Sequence, residues 1–343
     1  NHIEGPDAKP FIRPLSLFGN LFYSAFYPVI GLSHPLALTR QMIADAKFGG
    51  QRFLCNLGDG SNGEWMFRLY RALLEQDPRT EMAGLNCVQS LASEEFGAEK
   101  GGALMDAWLA LQEAETQLGS LNFGPYLLMG GLLGRWLTRP LVPIPQELSE
   151  QETSGFLPYL FQARDRESAL NIADIQAMRM YEGWSGRLLV EQTLAVTNGQ
   201  LKRAQAAAQA ADEPQLVQRI ELLRCLLKST LHAVSYQAQL DEMPWLPSAE
   251  GETPNPVPPP LGFSGEWGLQ ELTRIARAEI DNTLAILALI ESSDAPMLDS
   301  ADAAEDETPL RLGPDFADKL RLKVAVMNQK WLDYNRFNAW PNK

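Results

Sequence analysis

One short glycine-rich segment of the sequence holds two carboxylates and a tryptophan. Asp59 and Glu64 lie close together in it, and Trp65 follows directly. Glycoside hydrolysis uses such a pair of carboxylates, because one acid protonates the leaving oxygen while the other acts as nucleophile or base. We therefore take Asp59 and Glu64 as candidate catalytic residues and Trp65 as a candidate sugar-stacking residue. The competing interpretation is that the two carboxylates shape a turn and the helix that follows it.

A second set of candidate residues combines arginines with aromatic rings. These residues come from a proline-flanked segment and from a glycine-weakened part of a predicted long helix, and they are Arg135, Trp136, Arg139, Tyr181, Glu182 and Trp184. Arginine forks bind carboxylates, and tryptophan faces stack on sugars. We expect them to bind substrate, and we expect Arg135, Trp136 and Trp184 to converge with the first set on one concave pocket. The alternative is a structural arginine–glutamate pair that covers a helix junction.

Metal, cofactor and nucleophile chemistry have little support in the sequence. The chain has three histidines and three cysteines, which are His2, His34, His232, Cys55, Cys87 and Cys225. No two histidines have the i, i+4 spacing of a helical metal pair, and no cysteines have the C-x-x-C spacing of a zinc site. Neither a phosphate-binding glycine motif nor a G-x-S-x-G turn occurs. We expect no metal, no cofactor and three buried thiols.

Composition and charge narrow the class of protein and its partners. The 343 residues are 45% hydrophobic and 21% charged, which is typical of a folded chain with room for two domains. A net charge of -14 disfavours nucleic acid as a partner. Residues 14–39 carry no charge, but Pro28 and Pro35 interrupt them, so we expect no membrane span. We expect a soluble protein of the bacterial cytoplasm or periplasm, with the compartment left open.

The periodicity of apolar residues predicts an all-α fold. From about residue 63 these residues recur at three- and four-residue steps, which predicts a bundle of long antiparallel helices. The clearest apolar seam consists of Leu216, Ile220, Leu223, Leu227, Leu231, Val234 and Ala238. The predicted organisation is an irregular, aromatic-rich segment at 1–60, a helical bundle at 61–240, a proline-rich connector at 241–263 and a C-terminal helical pair at 264–343.

The N-terminal segment carries a run of aromatic residues that would form a stripe if it were helical. The residues are Phe18, Phe22, Tyr23, Phe26 and Tyr27. An exposed apolar patch of this size would promote aggregation. We therefore expect a preceding catalytic domain or a second chain to cover it.

Three segments resemble parts of a known family. They are Tyr70-Arg71-Ala72-Leu73-Leu74-Glu75-Gln76-Asp77-Pro78, the run Phe96-Gly97-Ala98-Glu99 leading into Ala107-Trp108-Leu109-Ala110-Leu111-Gln112-Glu113-Ala114, and Leu320-Arg321-Leu322-Lys323-Val324-Ala325-Val326-Met327 with Trp331, Asp333 and Tyr334. Together they resemble the helical region that follows the catalytic barrel in large bacterial glycoside hydrolases of the α-glucuronidase and hexosaminidase kind. The resemblance covers about residues 60–340, and residues 1–60 would then be the end of a barrel or a cap. Because that family carries its catalytic acids on barrel strands, the resemblance assigns no catalytic residue here.

Three classes of function follow from the sequence. The first is the helical portion of a carbohydrate-active protein, which contributes substrate-side residues for an oligosaccharide to a site completed elsewhere. The second is a stand-alone, non-enzymatic helical interaction or scaffold protein. The third is a complete enzyme built around Asp59 and Glu64.

Overall fold

The computed structural model describes residues 15–20, 30–32, 34–47, 50–56, 63–76, 80–120, 136–156, 183–241, 265–293, 297–298, 300–307 and 312–335. These residues are mainly helical, which confirms the predicted all-α class. The antiparallel order of the bundle stays a prediction. No helix in the described part of the chain is long and apolar enough to cross a bilayer.

The chain forms two compact units, and each of them draws on separate stretches of sequence. The first unit consists of Asn1–Tyr27, Gly31–Thr116 and Gly199–Ile220. The second consists of Pro28–Ile30, Gln117–Asn198 and Glu221–Lys343. The boundaries predicted from the sequence are contiguous and stay predictions.

The first unit begins with a strand, a helix and a second strand. Strand β1 (Leu15–Asn20) pairs in parallel with β2 (Gly50–Asn56), and helix α1 (Pro35–Lys47) connects them. Phe18 lies in β1, opposite Leu54, so it is not part of a helical aromatic stripe. Strand side chains alternate between two faces, whereas residues at i and i+4 share a face only in a helix. The other members of the stripe, Phe22, Tyr23, Phe26 and Tyr27, lie outside the described residues.

Three further helices lie in the first unit: α2 (Gly63–Gln76), α3 (Glu81–Phe96) and α4 (Ala98–Ser120), of which α4 runs on into the second unit. The first unit also includes Gly199–Ile220, which belong to two helices described below with the second unit. Thr80 and Gly97 flank α3, and both are residue types typical of helix ends. The Thr80 hydroxyl accepts a hydrogen bond from the Ala83 amide at 3.2 Å. Gly97 follows the helix with a φ of 84°, a conformation that favours glycine, and its amide donates to the Ser93 carbonyl at 3.0 Å.

The second unit holds the short helix α5 (Glu150–Thr153), most of α6 (Gly183–Ala210) and α7 (Pro214–Asp241), and all of α8 (Gly265–Ser292) and α9 (Phe316–Gln329). Ser149 and Glu152 form a capping box at the start of α5. The described part of helix α6 begins at Gly183. It then continues without interruption through the alanine-rich tract that ends at Ala210.

Helix α7 is the central element of the second unit. Every residue from Ser229 to Leu240 except Leu231 is buried, so this part of the helix contacts protein on all sides. The buried stretch includes polar side chains such as His232 and Gln237 as well as apolar ones. Buried polar groups need hydrogen-bond partners. The polar side chains of α7 must therefore meet polar groups of the neighbouring helices α8 and α9.

Candidate functional site

Most of the predicted site residues lie where the structure gives little or no information. Asp59, Arg135, Tyr181 and Glu182 lie outside the described residues. The backbones of Glu64 and Trp184 lie in α2 and α6, near the start of each helix. The roles predicted for these six residues, Asp59, Glu64, Arg135, Tyr181, Glu182 and Trp184, therefore stay predictions.

Trp65 belongs to an aromatic cluster of the first unit. Its ring centroid lies 5.2 Å from that of Trp108 on α4 and 6.2 Å from that of Phe96 on α3. Both pairs are tilted, and such aromatic contacts stabilise a packed cluster. Trp65 and Phe96 are half-buried, whereas Trp108 is buried. Part of the Trp65 side chain thus remains accessible.

Trp136 and Arg139 lie in the core of the second unit. Trp136 is 1% exposed and Arg139 is 3% exposed. The Arg139 guanidinium lies 5.1 Å from the centre of the Phe156 ring, and burial lowers the pKa of Arg139 to about 9. A sugar could contact the Trp136 ring only if the surrounding core opened. Substrate binding by these two residues, and the convergence of Trp136 with Trp65 on one pocket, stay predictions.

The structure also reveals a buried ionic cluster that the sequence analysis did not find. Glu279 on α8 is 1% exposed, and its carboxylate accepts a hydrogen bond from Lys323 on α9. His232 Nδ1 on α7 lies 2.5 Å from the other carboxylate oxygen. The Ser229 hydroxyl, also on α7, donates to the same oxygen as Lys323 at 2.8 Å. One carboxylate therefore joins three helices of the second unit.

The surroundings of Glu279 keep it ionised. Burial alone would raise the pKa of this carboxyl, because desolvation disfavours the charged form. The positive charge of Lys323 and the hydrogen bond from His232 outweigh that effect and lower the pKa to about 2. The cluster thus contains a buried carboxylate and a buried ammonium that compensate each other.

Further hydrogen bonds extend the cluster in two directions. Lys323 Nζ donates to the Leu137 carbonyl at 2.9 Å, next to Trp136. Asn282 on α8 donates to the Ser229 hydroxyl at 2.9 Å and to the Cys225 carbonyl at 2.8 Å. These contacts fix both the loop before α5 and the register between α7 and α8.

The chemistry open to this cluster depends on His232. A carboxylate can only accept, so His232 Nδ1 must carry a proton, and Glu279 orients the ring as acids orient histidine in hydrolases. A hydrolase would need a hydroxyl or thiol against Nε2, and no described residue provides one. Ser229 donates to Glu279 instead, and 11% of the His232 side chain is exposed. Among the described residues, Ser229, His232 and Lys323 are each paired with Glu279.

A second histidine is paired in the same way in the first unit. His34 Nε2 lies 2.9 Å from the Glu115 carboxylate, and the His34 side chain is fully buried. Both described histidines thus contact glutamates. Among the described residues no group of three histidine, cysteine or acidic side chains could hold a metal ion.

The sequence did carry a signal for the ionic cluster. In α9 the residues Phe316, Leu320, Lys323 and Met327 are buried at three- and four-residue steps, so a lysine occupies a core position. In α8 Glu279 lies in the same way between the buried Ala276 and Thr283. Charged residues in an apolar row predict buried pairing, but the row alone does not identify the partner.

Comparison of the chain with protein-family models, curated proteins and solved structures finds no match. The resemblance to glycoside hydrolases therefore stays a prediction.

Replacing Glu279 should destabilise the protein strongly. In Glu279→Gln the amide cannot balance the buried charge of Lys323, so we expect a loss of about 3 to 5 kcal/mol in the free energy of unfolding. Urea unfolding at neutral pH measures this loss in the free energy of unfolding. Glu305→Gln is the control, because Glu305 is exposed. A loss no greater than that of the control would contradict the assignment.

Lowering the pH should reduce the stability that the ionised carboxylate of Glu279 contributes. The pKa of Glu279 is lower in the folded protein, about 2, than its ordinary value of about 4.5. The ionised carboxylate of Glu279 therefore stabilises the protein fully above a pH of about 4.5. This stabilisation is lost as the pH falls from about 4.5 to about 2. Urea midpoints of the native protein and of Glu279→Gln should converge in that window.

Proposed function

We propose that this protein is a non-enzymatic helical interaction protein, which binds a partner through the exposed face of α6. This face consists of Leu188, Leu189, Gln192, Ala195 and Val196, and we call it the α6 face. Leu188 is 50% exposed, Val196 49% and Leu189 40%. Gln192 and Ala195 are exposed as well. This uncharged, largely apolar surface is the observation that carries the proposal.

The opposite side of α6 packs against the second unit, as one side of a surface helix normally does. Val190, Leu194 and Thr197 are buried in the second unit. A helix that packs on one side normally presents charged residues on the other. Because the α6 face instead presents three large aliphatic side chains and no charge, we infer that a partner covers it.

The shape of the α6 face indicates the chemistry of its partner. Leu188, Gln192 and Ala195 follow one another at steps of four and three residues, which is the spacing of a coiled-coil seam. The small Ala195 side chain allows close approach of a second backbone. The matching partner is an amphipathic helix whose apolar stripe repeats with the same period.

The polar residues of the second unit support a role without catalysis. His232 and Lys323 each contact Glu279 in the core, and Arg187 pairs with Glu191 at 2.8 Å and with Glu271 at 2.6 Å. These groups stabilise the helices that hold α6. Recognition then depends on the apolar surface.

Binding of a designed helix tests this proposal. The probe is a fluorescently labelled amphipathic peptide with leucine at the a and d positions, and its anisotropy is measured as protein is added. Leu188→Glu and Val196→Glu should each weaken binding roughly tenfold or more, since each removes a buried aliphatic contact of about 1.5 kcal/mol and adds a charge.

Leu284→Glu on α8 is the matched control, because Leu284 is 48% exposed and lies outside the α6 face. It should bind the peptide as the native protein does. Equal loss in all three variants, or no loss in any, would overturn the proposal.

A second candidate function is the helical portion of a carbohydrate-active protein that resembles glycoside hydrolases and works with a catalytic domain or a second chain. The half-buried Trp65 ring supports it, because a partly accessible aromatic face suits sugar binding. In this proposal the Trp65 ring stacks on the sugar, and the other site residues predicted from the sequence also contact the substrate.

Trp65→Ala tests the second candidate. If the ring stacks on a sugar, its removal should weaken the binding of neutral or acidic oligosaccharides by about 0.5 to 1.5 kcal/mol, which is two- to tenfold. Calorimetry measures the affinity. Phe67→Ala is the control, because Phe67 is a 45% exposed aromatic residue on the same helix. Absence of any oligosaccharide binding by the native protein would refute this candidate.

A further inference from the structure

A small cavity lies in the second unit between residues 139–156 and helix α7. Two polar side chains, Arg139 and Gln237, line this cavity together with apolar residues, and we call it the Arg139 cavity. All of its lining residues are buried except Pro145, which is half-buried. The cavity has room for about one water molecule or one ion of similar size. It therefore brings a guanidinium and an amide to one small enclosed space.

The positive charge of Arg139 is not compensated by its surroundings. Arg139 has other interactions within the chain, yet burial still lowers its pKa to about 9, well below the ordinary value. The buried carboxylate of Glu279 shows the opposite balance, because Lys323 and His232 keep it charged. A further negative charge beside the guanidinium would therefore be favourable.

The guanidinium also retains hydrogen-bonding capacity. An arginine side chain carries five N–H donors. Its Nε and Nη1 atoms are buried in Arg139, and within the described part of the chain neither of them has a hydrogen-bond acceptor. The Phe156 ring, 5.1 Å from the guanidinium carbon, attracts the charge but is no substitute for an acceptor oxygen or anion. A small acceptor in the cavity would meet this need.

We propose that the Arg139 cavity binds one small monovalent anion such as chloride, held by the Arg139 guanidinium and by the amide group of Gln237. The charge of Arg139 selects an anion over a cation, and the size of the cavity excludes phosphate and organic acids. The Gln237 amide nitrogen supplies further N–H donors. Because the two polar residues come from the segment before α5 and from α7, the bound anion would hold these parts of the core together. This site is independent of the α6 face.

Urea unfolding in two sodium salts tests this proposal. Sodium chloride and sodium gluconate are compared at equal ionic strength, since gluconate is too large for the cavity. Chloride should raise the urea midpoint of the native protein above its value in gluconate. The difference should grow with the logarithm of the chloride concentration once that concentration exceeds the dissociation constant. Arg139→Met should lose this difference.

Arg187→Met is the matched control. Arg187 is also a buried arginine of the second unit, at 7% exposure, but it pairs with Glu191 and Glu271. Its replacement should lower the urea midpoint in both salts and keep the difference between chloride and gluconate. The control thus separates binding at Arg139 from general effects of the salts on a protein that has lost a buried arginine.

Crystals of the native protein grown in sodium bromide locate the anion directly and do not depend on the folding of a variant. Bromide should give an anomalous peak within hydrogen-bonding distance of the Arg139 guanidinium. Equal urea midpoints in chloride and gluconate, or no bromide in the cavity, would overturn the proposal and leave water as the occupant. A chloride effect that persists in Arg139→Met would also overturn it, because the anion would then bind elsewhere.

Discussion

The buried carboxylate of Glu279 is the constraint on which the second unit depends. An ionised carboxylate with 1% exposure is tolerated only where positive charge and hydrogen-bond donors surround it. Lys323 and His232 meet that requirement, and they come from the two helices that flank α8. As long as Glu279 is buried and ionised, α7 and α9 must therefore keep His232 and Lys323 against α8.

The same cluster also holds the backbone beside Trp136, one of the residues expected to bind sugars. Lys323 holds the Leu137 carbonyl, and Trp136 next to it is buried. An arginine–tryptophan motif in a proline-flanked segment suits a binding loop by residue type alone. In the folded chain Trp136 and Arg139 of this segment are buried, and the hydrogen bond from Lys323 ties the backbone beside Trp136 to the ionic cluster. The exposed surface that is unusually apolar is the α6 face.

Local features of the fold could be predicted from the sequence. Thr80, Gly97 and the Ser149–Glu152 capping box act over three or four residues, so the sequence alone reveals them. Contacts between distant residues could not be predicted in this way. The β1–β2 pair joins strands separated by a helix, and Glu279 meets residues of two other helices. The exposed face of α6 was missed for a related reason, since periodicity predicts an apolar row but not which side of the helix is covered.

The most direct measurement replaces the whole ionic cluster by apolar residues of similar size. The central claim is that His232, Glu279 and Lys323 stabilise the core and take no part in recognition. A His232→Leu, Glu279→Leu, Lys323→Met variant should therefore fold, recover most of the unfolding free energy lost in Glu279→Gln, and bind the designed helix as the native protein does. A folded triple variant that no longer binds the helix would contradict this account.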